Sequence, residues 1–397
     1  ISPLLRLVSL SVKAPFGLDR PWFPSFLIVM TLAFADDDKG ILPDRAIAAL
    51  ASQGVVVTAR PFASDQIQPA SLDLRLGNVA YRVRASFLPG PHGAVARRIA
   101  DLRLHEISLS NGAVLETGCV YIVPLLESLM LPPDISATTN PNSSTGRLDI
   151  FTRVISDSMR GFDRIEAGYR GPLYVEISPR TFPVLVREGS RLSQIRFRRG
   201  HTTLDATALR ALHAAERLVD NTDADVGEGV AVGVDLAGFG ANGLVGYRAK
   251  RHTGLIDVER RDGYAVADFW EPIPVRSDRT LILDPDEFYI LASKEAVQVP
   301  PDYAAEMVPF DPLVGEFRVH YAGFFDPGFG YAGAGGTGSR AVLEVRSREV
   351  PFILEHGQIV GRLVYEKMMT RPQSLYGQGI GSNYQAQGLK LSKHFKA

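Results

Sequence analysis

One unit is written twice in this chain. The stretch "LPPDISA" (131–137) returns as "VPPDYAA" (299–305), and "LYVEIS" (173–178) returns within "AVLEVRS" (341–347). "VREGSRLSQIRF" (186–197) is answered by "ILEHGQIVGRLV" (353–364), and "QPASLDLRLG" (68–77) by "AVGVDLAGFG" (231–240). Asp134 to Asp302, Glu176 to Glu344 and Gly189 to Gly357 are each 168 positions apart. Chance similarity between apolar runs does not hold one offset across three landmarks, so the chain reads as a tandem duplication. Two unrelated β domains with similar turn chemistry are the alternative, and the shared offset weighs against them. The length of 397 residues also exceeds what one core usually holds.

Within each unit, short apolar-alternating runs are broken by Gly, Pro and Asn, as in "SLDLRLGN", "GCVYIVPL", "LYVEIS" and "FPVLV". That rhythm predicts a β-rich sandwich or barrel rather than βαβ units. Two helices are expected. One lies in "LPDRAIAALASQG", with Asp44 as N-cap and Gly54 as stop, and the other is "LDATALRALHAAERLVD" (204–220), between the halves. The expected map is a leader (1–39), a first domain (40–202), a helical linker (203–222), a degenerate second repeat (223–372) and a polar tail (373–397). The leader's "WFPSFLIVMTLAF" (22–34) is too short to span a bilayer and contains Pro24. Residues 1–29 read as an over-extended gene start or a flexible leader, since Met30 stands just before the first well-patterned segment.

The copies differ where chemistry would sit. The first contains "NPNSSTGRLD" (140–149), whereas its counterpart "PFDPLVGEFR" (309–318) has lost both serines and places Glu316 near the arginine position. The second carries "GYAGAGGTGSR" (330–340), which lacks a P-loop context and reads as a flexible loop. In the first copy Ser143 and Ser144 supply short, rotatable donors and acceptors, and Arg147 a fork for phosphate or carboxylate. Alone, "NSSTG" is most often just a turn. Its weight comes from "FDRIEAGYRGPLYVEISPRTFPV" (162–184), where Leu173, Val175 and Ile177 alternate with Tyr174, Glu176 and Ser178. An acid at 176 either sits on a wet face or lines a pocket and moves protons there. The tail "SLYGQGIGSNYQAQGLKLSKHF" (374–395) has the composition of a disordered terminus, yet its tyrosines also suit a lid over an anionic ligand.

Several classes are disfavoured by inventory. A net charge of −1 offers no global field for nucleic acid. The lone Cys119 excludes an intrachain disulfide and suits a reducing cytoplasm. The eight histidines form no H-x-E, H-x-x-x-H or H-x-x-E-H grouping, so zinc deaminase and zinc hydrolase chemistry lack their ligands. No G-x-S-x-G elbow occurs. Acid–base work centred on a carboxylate remains.

"IQPASLDLRLG", "NSSTGR", "FDRIEAGYRGPLYVEI" and the "Y…NYQAQG" ending together resemble the dCTP deaminases, relatives of trimeric dUTPases. The resemblance runs through most of residues 40–200 and the tail and more weakly through the second repeat, as in the long, duplicated bacterial form. It implies a mainly β fold, a tandem duplication of a dUTPase-like distorted β-barrel (β-clip) with few short helices. It also implies hydrolytic deamination of dCTP to dUTP and ammonia with no catalytic metal, Mg²⁺ arriving with the triphosphate. By position, Glu176 falls on the general acid/base, and Ser143 and Arg147 on residues that orient the attacking water and the base. Ser144, Arg164, Glu166 and Gln194 fall on nucleotide contacts, and Tyr376, Tyr384 and Gln387 on the closing tail. Asn383 departs from a lysine often found there. The resemblance further implies a cytoplasmic homo-oligomer, trimer-based, with sites shared between copies, possible feedback inhibition by dTTP, and no nucleic-acid or membrane partner.

Attack at cytosine C4 needs water deprotonated, N3 protonated and the amine protonated to leave, and one buried carboxyl can serve all three steps. The second repeat keeps Glu344 but neither serines nor arginine, so it is expected to be catalytically silent and to serve assembly. Two other readings stand beside this one. One is a bifunctional deaminase that also releases dUMP and pyrophosphate, and the other is a non-enzymatic nucleotide-binding or scaffold protein.

Overall fold

A computed structural model describes residues 38–240, 243–309, 317–320, 323–334, 336–347, 349–378, 384–385 and 387–396. Most of the expected leader lies outside these residues, as do Glu316 and Asn383. The first repeat comprises β1 (Gly40–Ile41), β2 (Val56–Thr58), β3 (Leu72–Arg75), β4 (Val79–Val83), β5 (Arg103–Ser108), β6 (Ala113–Leu115), β7 (Val120–Met130), β8 (Ile135–Pro141), β9 (Ile150–Ser156), β10 (Arg164–Ile165), β11 (Arg170–Pro179), β12 (Val184–Val186) and β13 (Arg191–Arg199). The second comprises β14 (Val230–Gly233), β15 (Leu244–Ala249), β16 (Ile256–Asp257), β17 (Trp270–Pro274), β18 (Thr280–Leu283), β19 (Phe288–Val297), β20 (Tyr303–Pro309), β21 (Phe317–His320), β22 (Phe324–Phe325), β23 (Ser339–Ser347), β24 (Phe352–Glu355) and β25 (Ile359–Lys367). Short helices punctuate them: α1 (Asp44–Ser52), α2 (Val95–Leu102), α3 (Ser143–Gly146), α4 (Ala206–Glu216) and α5 (Val266–Phe269).

The duplication is visible in the pairing. One sheet runs β5-β4-β7-β11-β9 in the first repeat and β17-β15-β19-β23-β21 in the second, and another runs β3-β13-β8-β10 and β14-β25-β20-β22. Register repeats as well: Glu176 stands opposite Ile122 on β7, and Glu344 opposite Ile290 on β19. The paired landmarks Gly189 and Gly357 both adopt left-handed φ, +90° and +83°, which a side chain would strain. The mainly β, dUTPase-like architecture expected from the sequence is therefore present twice.

Two local expectations change, and one alternative left open is closed. Helix α1 is N-capped by Pro43, with Asp44 inside the first turn; the Asp44 carboxylate accepts instead from the backbone N–H of Gln373 and Ser374 and so holds the start of the tail. Helix α4 is more than a linker: Asp205 caps it by accepting from Thr207 and Ala208, and its Leu209 and Leu212 join the core of the second repeat. Strand β11 is buried on both faces from Leu173 to Pro179, so its polar face is not wet.

The repeats are bound together through polar and strand contacts. β12 pairs in parallel with β16, and Arg187 grips Asp257 with two bonds of 2.7 and 2.9 Å. Arg196, fully buried on β13, reaches the carbonyls of Ala305 and Phe325 and the Asp326 carboxylate at 3.1 Å. A buried guanidinium is tolerable only with such a set of acceptors. Asn140 on β8 donates to Glu306 on β20 at 2.9 Å. Among the described residues no helix is long and apolar enough to cross a membrane.

Candidate active site

The single turn α3 is closed by bonds from Thr145 and Gly146 to the Asn142 carbonyl, and it carries Ser143, Ser144 and Arg147 to the junction of the repeats. There they line a cavity of about 270 Å³ together with Gln194 of β13. The opposite wall belongs to the second repeat: Glu344 from β23, and Phe324, Phe325, Asp326 and Phe329 from β22 and the turn after it. Arg147 is 3% exposed, and its Nε lies 3.8 Å from Glu344 Oε1, close enough for charge attraction but too long for a direct hydrogen bond.

The tail completes the enclosure. Arg147 stacks on the Tyr384 ring at 3.8 Å, and both its terminal nitrogens donate to Gln387 Oε1, at 3.1 and 3.2 Å. One of them also reaches the Lys390 carbonyl. The Tyr384 hydroxyl lies 2.6 Å from Ser144 Oγ and accepts from the Lys393 N–H. Tyr376 packs its ring against Phe329, with centroids 5.7 Å apart. Farther on, Phe395 inserts among Tyr264, Phe269 and Trp270, which fastens the chain end to the second repeat.

Burial dominates the electrostatics. It lifts the Glu344 carboxyl from its ordinary 4.5 to about 8, with Arg147 pulling the other way. Burial likewise raises Asp73 to about 7 against the attraction of Arg191, and pushes Asp326 up against Arg196. His394 falls to about 4 for the same reason; its Nε2 donates to the Val258 carbonyl at 2.9 Å, which leaves Nδ1 facing the Ser392 hydroxyl at 2.8 Å. Lys393 is lowered by burial and then by Arg261. Arg191, Arg261 and Lys393 form a basic side of the cavity, offset by Asp65 and Asp73.

The structure brings together Ser143, Ser144, Arg147, Gln194, Tyr376, Tyr384 and Gln387. It does not bring Glu176 to them. That carboxylate is 1% exposed within the first repeat, where Arg153 across the strand pair binds it at 2.6 Å while stacking on Phe162 at 3.5 Å. Within this chain α3 faces strand β23 of the other repeat, so the acid that Ser143 and Arg147 meet here is Glu344, the residue expected to be silent, rather than Glu176. In β21 the residue opposite Glu344 is His320, not an arginine. Arg164 and Glu166 are exposed on and just after β10 and do not line the cavity. Their second-repeat counterparts do, because β22 and its "DPGF" turn occupy the equivalent place. Asp326, Asp73, Arg191, Arg261, Lys393 and His394 went unrecognised. The matching "EAGY" and "DPGF" turns, each with a left-handed glycine (Gly168 and Gly328), were the available signal for Asp326.

Residues 38–201 match the family model described as the 2'-deoxycytidine 5'-triphosphate deaminase (DCD) N-terminal domain, and residues 205–395 match the C-terminal domain of the same family. The chain is 30% identical to a dCTP deaminase of Halorubrum lacusprofundi over 189 residues, covering 47% of this chain and 87% of the relative. It is 28% identical over 166 residues to a protein of Sulfurihydrogenibium named dCTP deaminase, dUMP-forming, covering 40% of this chain and 82% of the relative. The crystal structure of 2'-deoxycytidine 5'-triphosphate deaminase from Agrobacterium tumefaciens superposes with a TM-score of 0.83 at 64% identity, covering 87% of this chain and all of the other.

Proposed function

This chain belongs to the dCTP deaminase family, and we propose that it releases the 4-amino group of dCTP as ammonia in the cavity where its two repeats meet, with Glu344 carrying the protons. The observation behind the reading is the convergence of Ser143 and Arg147 from one repeat on a buried carboxyl from the other. Water adds its oxygen to C4, the C4–N4 bond breaks, and dUTP and ammonia leave. Glu344 takes the proton from the attacking water and passes it to N3, then takes the C4-hydroxyl proton of the hydrated intermediate and gives it to the departing amine as the C4 carbonyl forms. A carboxyl lifted to about 8 sits near the balance between accepting and donating at neutral pH.

Arg147 steadies the ionised form of Glu344 and orients the water between them, and Ser143 holds the base. Asp326, fixed by Arg196, faces the sugar. Arg191, Arg261 and Lys393 offer counter-charge to the triphosphate. Among the described residues no three His, Cys, Asp or Glu side chains converge as a metal site, and magnesium is assigned to the substrate triphosphate. Tyr376, Tyr384 and Gln387 close the lid.

Incubating purified protein with dCTP and Mg²⁺ and separating the nucleotides tests the reading. The expected products are dUTP and one equivalent of ammonia. Formation of dUMP and pyrophosphate would select the bifunctional reaction instead, and dCTP recovered intact would overturn catalysis altogether.

A further inference from the structure

We propose that Arg346 is a positioning residue for this reaction: through Asp149 it fixes the spacing between the acid of the second repeat and the serine and arginine of the first. Arg346 lies two residues beyond Glu344 on β23 and so shares its strand face. Asp149 lies two residues beyond Arg147, in the turn that ends α3. The Arg346 Nη2 group is ion-paired with the Asp149 carboxylate, the side chains being only 8% and 2% exposed, and it also donates to the Thr181 hydroxyl at 3.1 Å. Thr181 in turn donates to Asp149 Oδ2 at 2.5 Å.

Each end of this contact is anchored in its own repeat. Arg346 Nη1 donates to the Asp286 carbonyl. The Asp149 N–H binds the Gly146 carbonyl, and its own carbonyl accepts from the Arg180 N–H, both at 2.9 Å, with φ held at +55°. Neither Arg346 nor Asp149 lines the reaction cavity, so neither touches substrate there. The direct contact between Arg147 and Glu344, at 3.8 Å, is too loose to set the geometry alone. The buried pair one layer behind it can. By the repeat offset, Ser178 occupies the place of Arg346 in the first repeat. The device therefore belongs to this junction and not to the duplicated unit.

The inference rests on the deaminase reading, and its test keeps the two apart. Turnover of dCTP is compared in the intact protein and in the Arg346→Met, Arg346→Lys, Asp149→Asn and Arg346→Met/Asp149→Asn variants, with thermal melts as a folding control. A misplacement on the order of 1 Å costs up to about 100-fold. Arg346→Met should lower kcat by about 10- to 100-fold with KM changed less than about threefold. Arg346→Lys should recover part of that loss, and the double variant should be no worse than about threefold below the poorer single one, since both act through one contact. If Arg346→Met does not fold, the near-isosteric Asp149→Asn variant carries the same kcat prediction. A kcat within about twofold of the parent in the folded variants, or a loss confined to KM, overturns the inference. Failure of the parent itself to release ammonia from dCTP overturns the deaminase reading.

Discussion

Replacing Glu344 by Gln should end turnover and yet stabilise the folded protein above acidic pH. The carboxyl is 6% exposed, and burial holds its folded-state pKa near 8, against an ordinary 4.5 in the unfolded chain. Between those two values the folded protein keeps a proton that the unfolded chain releases, so this group's contribution falls as pH rises through that window. The slope is about 1.4 kcal/mol per pH unit, which gives roughly 2.5–3 kcal/mol between pH 5.5 and 7.5. Gln fills nearly the same space and does not titrate, so the two proteins differ in this one titrating group. Urea unfolding of the two proteins across this range isolates the effect from Asp73 and Asp163, which burial also raises to about 7. The stability difference should grow with pH and flatten above about 8. Curves that stay parallel to within about 0.5 kcal/mol would refute the reasoning.

Tyr384→Phe keeps the ring under Arg147 but loses the contacts of its hydroxyl with Ser144 and the Lys393 N–H; kcat/KM should fall by roughly three- to tenfold, as read in steady-state kinetics. Phe395→Ala empties a slot among Tyr264, Phe269 and Trp270, at a cost of about 3–5 kcal/mol, and should raise the rate at which a protease cuts the tail. His394 is held neutral down to about 4, whereas the free side chain protonates near 6.5, so tail docking should weaken as pH falls between those values, by up to about 3 kcal/mol. Because Trp270 and Phe395 are 5.8 Å apart, Trp270 fluorescence in a Trp22→Phe background should report it, and a flat signal from pH 6.5 to 4 would contradict it.

The duplication was legible because two acids and two glycines are fixed by local rules: a strand register for Glu176 and Glu344, a left-handed turn for Gly189 and Gly357. The alternation around Glu176 correctly placed it on a strand, but period-2 patterning cannot say what covers the polar face. Burial of both faces of β11 and the cross-strand Arg153 were invisible for that reason. Ser143 and Arg147 were identified from residue type and spacing, and so were the tail tyrosines. What no single repeat encodes is its docking partner. The pairing of α3 with β23 is a tertiary choice made by contacts such as Arg196–Asp326 and Arg346–Asp149, between residues far apart in the chain. Asp44 shows the same lesson in miniature: its type suggests a cap, yet a proline already ends the segment before it and its carboxylate serves the tail.

Which of the two acids moves the protons is best settled by assaying Glu176→Gln and Glu344→Gln side by side for ammonia release from saturating dCTP. Loss of a general acid/base costs about 10²–10⁴-fold, which is expected for Glu344→Gln with dCTP still bound, while Glu176→Gln should stay within a few-fold of the parent. The reverse pattern, with Glu344→Gln active and Glu176→Gln inert, would contradict a site built across the two repeats of one chain.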